Sequence, residues 1–124
     1  QLYFATVPAA QTLVKAGRLR ALAVTSAKRI TSALELPTIM ESGVPGYDVT
    51  GWFGLLAPAR TPTNIIALLN AEVNKAIKVR EVRDRFATEG LEPLGSTPEE
   101  FAALIRNDIE KWSRVARSAG IKPE

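Results

Sequence analysis

Every strand-like stretch of this chain falls before residue 58, and every long helical stripe falls after residue 61. Leu2–Ala5 is a short apolar run, and Leu19–Thr25 is a second, apolar enough to lie inside a sheet. Tyr47–Ala57 is the longest, with Gly51 and Gly54 flanking Trp52 and Phe53, as at a bend or a close backbone approach. Between the first two, Pro8–Ala16 suits a helix with Pro in its first turn and Gly17 as its stop. Strand, short helix, strand predicts a parallel βαβ unit. Lys28–Leu36 reads as loop, Pro37–Ser42 as one short helix stopped by Gly43, and Val44-Pro45-Gly46 as a turn.

From Thr61 the periodicity becomes helical. Thr61 is the expected cap, Pro62 fits the first helical position, and Ile65, Leu68, Leu69, Val73, Ala76 and Ile77 form an apolar stripe. A second helix is predicted over roughly Val82–Thr88, ending at Gly90. Thr97 and Glu100 have capping-box spacing ahead of a long final helix, whose stripe includes Phe101, Leu104, Ile109, Trp112 and Val115 and which Gly120 ends. The fold class is α/β, but three strands make a poor sheet alone. The remaining strands are expected from sequence outside this chain or from a second copy.

At 124 residues the chain is the size of one domain, and its 46% hydrophobic and 23% charged composition is ordinary for a globular protein. The apolar runs are too short to span a bilayer. There is no Cys and no His, which removes Cys and Ser-His nucleophiles, His acid–base work and the usual zinc or iron–sulfur ligation. No spaced Asp/Glu cluster suggests a hard cation. An enzyme is not expected from this pattern, nor a cofactor or metal.

The net charge of +3 arises mainly from Lys15, Arg18, Arg20, Lys28 and Arg29. These are too sparse, and too poor in interleaved aromatics, for a nucleic-acid groove. Their two readings are a solvated surface and a modest field attracting small anions. The opening Gln1–Thr6 is apolar and aromatic, with no start Met and no basic and apolar leader, so residue 1 is expected to lie inside a larger protein. Ala119–Glu124 reads as a terminus after a helix.

Four ordered segments carry a family resemblance: KAGRLRALAVTS at 15–26, LPTIMESGVPGY at 36–47, GWFGLLAPARTP at 51–62, and GSTPEEF at 95–101 with Lys111-Trp112. They resemble the solute receptors of tripartite tricarboxylate transporters, also called Bug or TctC-like proteins. The resemblance implies the C-terminal part of a two-lobe type II periplasmic binding-protein fold. Residues 1–46 would belong to the second lobe, 47–58 to an inter-lobe crossing strand, and 59–124 to helices completing the first lobe. It also implies a periplasmic, non-enzymatic receptor that closes over a small organic acid and delivers it to a membrane permease.

The resemblance likewise points to candidate ligand-binding residues. The turn after the first strand, Phe4, Ala5 and Thr6, would face the cleft. Many members have Asp where this chain has Ala5, so an amino-acid ligand is disfavoured here and a plain carboxylate favoured, with Thr6 as a hydroxyl donor. Thr25 and Ser26 close a strand expected to end near the cleft, where their hydroxyls could bond a carboxylate directly or through water. Trp52 is either a hinge-core aromatic or part of the cleft wall, and Trp112 is expected to pack. Arg20 suits a carboxylate by charge but on a strand more often points outward. The carboxylate-holding loop of the family would lie outside this chain.

Two other readings stay open at this stage. A ligand-sensing module of a transcription regulator shares this fold. An oligomerisation module would use unpaired sheet edges. As part of a receptor, the 124-residue piece is expected to form a homo-dimer or larger assembly.

Overall fold

The computed structural model describes residues 2–121 and contains four α-helices among them: α1 (Val7–Lys15), α2 (Thr63–Ala76), α3 (Arg80–Thr88) and α4 (Pro98–Ser118). The expected Lys122–Glu124 ending lies outside the described residues. A single 3-10 turn, Thr31–Ala33, interrupts the segment read as loop. The chain divides into two compact units. One gathers the chain up to Leu56 together with Glu81–Pro93, and the other gathers Ala57–Arg80 and the chain from Leu94 onward.

In the first unit, α1 ends through a positive-φ glycine: Gly17 adopts φ +68°, and the Arg18 N–H returns to the Leu13 carbonyl at 2.9 Å. The helix expected at Pro37–Ser42 does not form. Val24 takes that backbone instead, accepting from the Ile39 N–H at 3.0 Å and donating to the Pro37 carbonyl at 2.9 Å, in a parallel bridge between Val24 and Thr38. Residues 39–43 then close as turns, with Gly43 at φ +105°.

The three expected strands are corrected in the same way. Leu2–Ala5 and Tyr47–Ala57 form no ladder among the described residues, and Leu19–Thr25 contributes only the Val24 bridge. A strand is held by neighbours 4.7–4.9 Å away, and among the described residues only Val24 of these segments has a bridge partner. Their apolar side chains stay out: Phe53 is 85%, Leu55 77% and Leu56 80% exposed. The βαβ reading therefore survives only as α1 with flanking segments that lack a sheet.

The second unit is helical. The α2 stripe appears as expected, but the cap is Pro62 rather than Thr61, and no side chain caps the helix. The amides of Asn70 and Asn74 donate to the Ser96 carbonyl at 2.8 and 3.1 Å, which fixes the segment leading into α4 against α2. At the start of α4, the Thr97 N–H donates to Glu100 Oε2 at 2.8 Å, and the Glu100 N–H donates to Thr97 Oγ1 at 3.1 Å. Trp112, expected to pack, is half-exposed, with Lys111 Nζ 5.5 Å from its ring centre.

Among the described residues only Val24 and Thr38 are buried, and no helix is long and apolar enough to cross a membrane. The exposed area is 10427 Å², against roughly 6,500 Å² for a self-contained protein of this mass. The excess of roughly 4,000 Å² is several times one face of a standard protein–protein contact.

Two substitutions test the local architecture. Thr97→Ala removes the hydroxyl that accepts at the start of α4 and is expected to cost about 1 kcal/mol. Gly90→Ala meets both a φ of +66° and Val7 Cγ1 at 2.7 Å from the new Cβ, so it is expected to cost at least about 1 kcal/mol. Denaturant unfolding checks both, and Thr97→Ala should also speed amide exchange in the first turn of α4.

Candidate functional site

The sequence-derived ligand residues all lie in the first unit, in two places. Phe4, Ala5 and Thr6 lead into α1. Phe4 is 62% exposed and Ala5 is exposed. Thr6 is the N-cap, with φ −68° and ψ 152°, and its carbonyl accepts from the Ala10 N–H at 3.1 Å. Its side chain makes no capping bond. The helix therefore leaves the Thr6 hydroxyl unspent, although its position is the one where a threonine normally caps.

Thr25 and Ser26 sit at a turn held from two sides. The Thr25 carbonyl accepts from the Val49 N–H at 2.9 Å. Ser26 Oγ donates to the Lys28 carbonyl at 2.7 Å. The Ala27 N–H donates to Asp48 Oδ1 at 3.1 Å, and Thr50 Oγ1 donates to that same oxygen at 3.1 Å. Trp52 lies four residues beyond Asp48 and is 40% exposed. The structure thus brings Thr25 and Ser26 to the segment that carries Trp52. No hydrogen bond among the described residues joins Phe4–Thr6 to that turn. Arg20 is exposed.

Behind the turn lies a polar cluster that the sequence reading missed. Thr38 donates its N–H to Glu41 Oε2 at 2.8 Å and accepts the Glu41 N–H on Oγ1 at 3.0 Å. Arg29 Nε donates to both Glu41 oxygens, at 3.2 and 2.9 Å, and Arg29 Nη1 donates to the Leu34 carbonyl at 3.1 Å. The Thr38 N–H and the Arg29 guanidinium hold the Glu41 carboxyl below its ordinary value of 4.5. The local signal was present: Thr38 and Glu41 have the same spacing as Thr97 and Glu100. Asp48 had no local signal, since its partner Ala27 is 21 residues away.

A further carboxylate works likewise. Glu92 Oε1 accepts from the Thr31 N–H at 3.3 Å and from Thr31 Oγ1 at 2.9 Å. Among the described residues, no group of three His, Cys, Asp or Glu side chains could hold a metal ion. What the turn offers chemically is hydroxyls and amides: donors and acceptors suited to an oxygen-rich ligand.

Comparison with known proteins extends this geometry. The model of the tripartite tricarboxylate transporter family receptor matches residues 1–121. Protein BugT of Bordetella pertussis is 36% identical over 116 residues, covering 94% of this chain and 36% of BugT. A UPF0065 protein from the tcbD-tcbE intergenic region of Pseudomonas sp. strain P51 is 40% identical over 103 residues, which cover 31% of it. Among solved structures, R. palustris Rpa4515 with adipate superposes at TM-score 0.82 with 40% identity, over 95% of this chain and 40% of that one. The periplasmic binding protein BugD superposes at TM-score 0.79 with 28% identity, over 93% of this chain and 39% of BugD. The chain thus spans about two-fifths of these structures, and its α/β fold is part of their two-lobe fold.

The Glu41 closure has a pH signature. Because folding lowers the Glu41 pKa, its stabilisation is present above the unfolded value near 4.5 and is lost as pH falls through the lower, folded value. Thermal unfolding from pH 7 to pH 3 should show wild type losing stability in this window. Glu41→Gln should be less stable than wild type at pH 7 and converge on it at pH 3. Parallel curves at all pH values would remove Glu41 from the closure.

Proposed function

This chain belongs to the tripartite tricarboxylate transporter receptor family, and from that premise we propose that it forms part of a periplasmic receptor for a small organic acid. The observation that carries the ligand class is the superposition, over 95% of this chain at 40% identity, on a protein solved with adipate, a linear dicarboxylate. The receptor binds and releases its ligand unchanged and passes it to a membrane permease. Ala5 in place of a carboxylate side chain leaves no partner there for a ligand ammonium group, which favours a di- or tricarboxylate over an amino acid. Thr6, Thr25 and Ser26 contribute hydroxyls, the Phe4 and Trp52 rings contribute apolar wall, and the remaining donors come from the part of the receptor outside this chain.

Mechanistically, the ligand draws an open–closed equilibrium toward the closed form by binding that form better. In this reading residues 1–46 belong to the second lobe, 47–58 cross between lobes, and 59–124 complete the first. The unit boundary after Leu56 falls inside the crossing and supports the assignment. The place of α3 in the first lobe rests on sequence alone, since most of α3 groups with the earlier unit. The uncovered area of roughly 4,000 Å² beyond a self-contained chain supports the same picture.

Calorimetric titration of the full-length gene product with adipate, citrate, succinate and glutamate tests the function. Saturable binding of a plain carboxylate, with glutamate weakest, is expected; binding of glutamate alone would overturn it. Light scattering on the isolated 124-residue chain should show a dimer or larger assembly as apolar faces pair. A monomer at all concentrations would show that this chain covers its own core.

A further inference from the structure

We infer that Asp48 is a positioning residue that sets the ligand-facing turn Thr25–Lys28 from the segment predicted to cross between lobes. The inference rests on the assignment of Thr25 and Ser26 as ligand hydroxyls under the function proposed above. Up to Thr25 this stretch is held by backbone pairing, with Val24 bonded to Pro37 and Ile39, and Thr25 to Val49. Arg29 is held on the other side by Glu41 and the Leu34 carbonyl. Between them, Ser26 bonds only within the turn, to Lys28. Among the described residues, the one hydrogen bond that reaches Ser26, Ala27 or Lys28 from a distant part of the chain is the Asp48 carboxylate on the Ala27 N–H.

Asp48 is placed to transmit position because its own neighbours are fixed. Val49 is bonded to Thr25 through the backbone, and Thr50 donates its hydroxyl to the same Asp48 oxygen that accepts from Ala27. A shift of residues 48–50 therefore carries the Ser26–Ala27 peptide with it. A charge-assisted bond of this kind is worth more than a neutral one, which suits a single contact holding an exposed turn.

Positioning and simple electrostatics make opposite predictions. Asp48 is an anion in the neighbourhood of a proposed anion site, so through Coulomb repulsion alone its removal would tighten carboxylate binding. Through positioning, its removal lets the turn stray and weakens binding. The full-length gene product is titrated with adipate as wild type, Asp48→Ala and Asp48→Asn. Asp48→Ala should weaken adipate binding about 10-fold, the size of one lost charge-assisted hydrogen bond. Asp48→Asn keeps an oxygen acceptor for Ala27 and should return to within about 3-fold of wild type. The melting temperature of the ligand-free protein should change little, because the contact is exposed.

The Ala27 amide proton resonance gives a ligand-independent readout. It should move upfield in Asp48→Ala and stay near its wild-type position in Asp48→Asn. Equal or tighter adipate binding by Asp48→Ala, or an unmoved Ala27 resonance, would overturn the positioning role. If wild type binds none of the acids tested, the functional reading fails by itself, and the Ala27 resonance still decides whether Asp48 holds the turn.

Discussion

A threonine enclosed to 2% exposure must satisfy its polar groups inside the protein, because a buried unpaired donor or acceptor costs about 1–3 kcal/mol. Thr38 meets this for its backbone groups and for its hydroxyl oxygen as an acceptor. Its N–H goes to Glu41, its hydroxyl oxygen takes the Glu41 N–H, and its carbonyl accepts from the Ser42 N–H at 3.1 Å and from Ser42 Oγ at 2.9 Å. With Thr38 fixed, Pro37 and Ile39 present a carbonyl and an N–H to Val24, and this bridge places Thr25 at the start of the proposed ligand turn. The fold of the first unit is therefore organised around a polar node beside one buried valine.

The same device recurs across the chain. Glu41, Asp48, Glu92 and Glu100 each accept a backbone N–H, and three of the four N–H groups belong to threonines: Thr38, Thr31 and Thr97. Such closures shape turns well but stabilise weakly, at about 1–3 kcal/mol each even when charged. Fully burying one leucine or phenylalanine contributes about 1.5–3 kcal/mol, and Phe53, Leu55 and Leu56 remain almost bare. The polar closures thus define the geometry of the loops, and most of the hydrophobic stabilisation available to this sequence is still unrealised in this chain by itself.

That division explains what the sequence revealed. The helices α1 to α4 were legible because their apolar spacing, glycine stops and the Thr97–Glu100 box are local, requiring no knowledge of a partner. The strands were misread as ladders because apolar β-type residues record only that a sheet is wanted, while the neighbouring strands are not among the residues described. Pro37–Ser42 went wrong through competition: its local turn signals suit a helix, but Val24, 14 or so residues earlier in the chain, claims its backbone. Arg29–Glu41 and Asp48–Ala27 were invisible for the same reason, being contacts across 12 and 21 residues.

The hydroxyl inventory then bears on recognition. Ser26 already gives its only proton to the Lys28 carbonyl, so toward a ligand it can accept but cannot donate while that bond stands. A ligand carboxylate needs donors. On the proposed assignment that task falls to Thr6, which does not cap α1, and to Thr25. Ser26 is instead suited to receive a bond from a bridging water, whose second proton can reach the carboxylate. On this chain recognition would therefore be partly direct, through two threonines, and partly wet, through Ser26. The water geometry would depend on the Ser26–Ala27 peptide staying where Asp48 holds it.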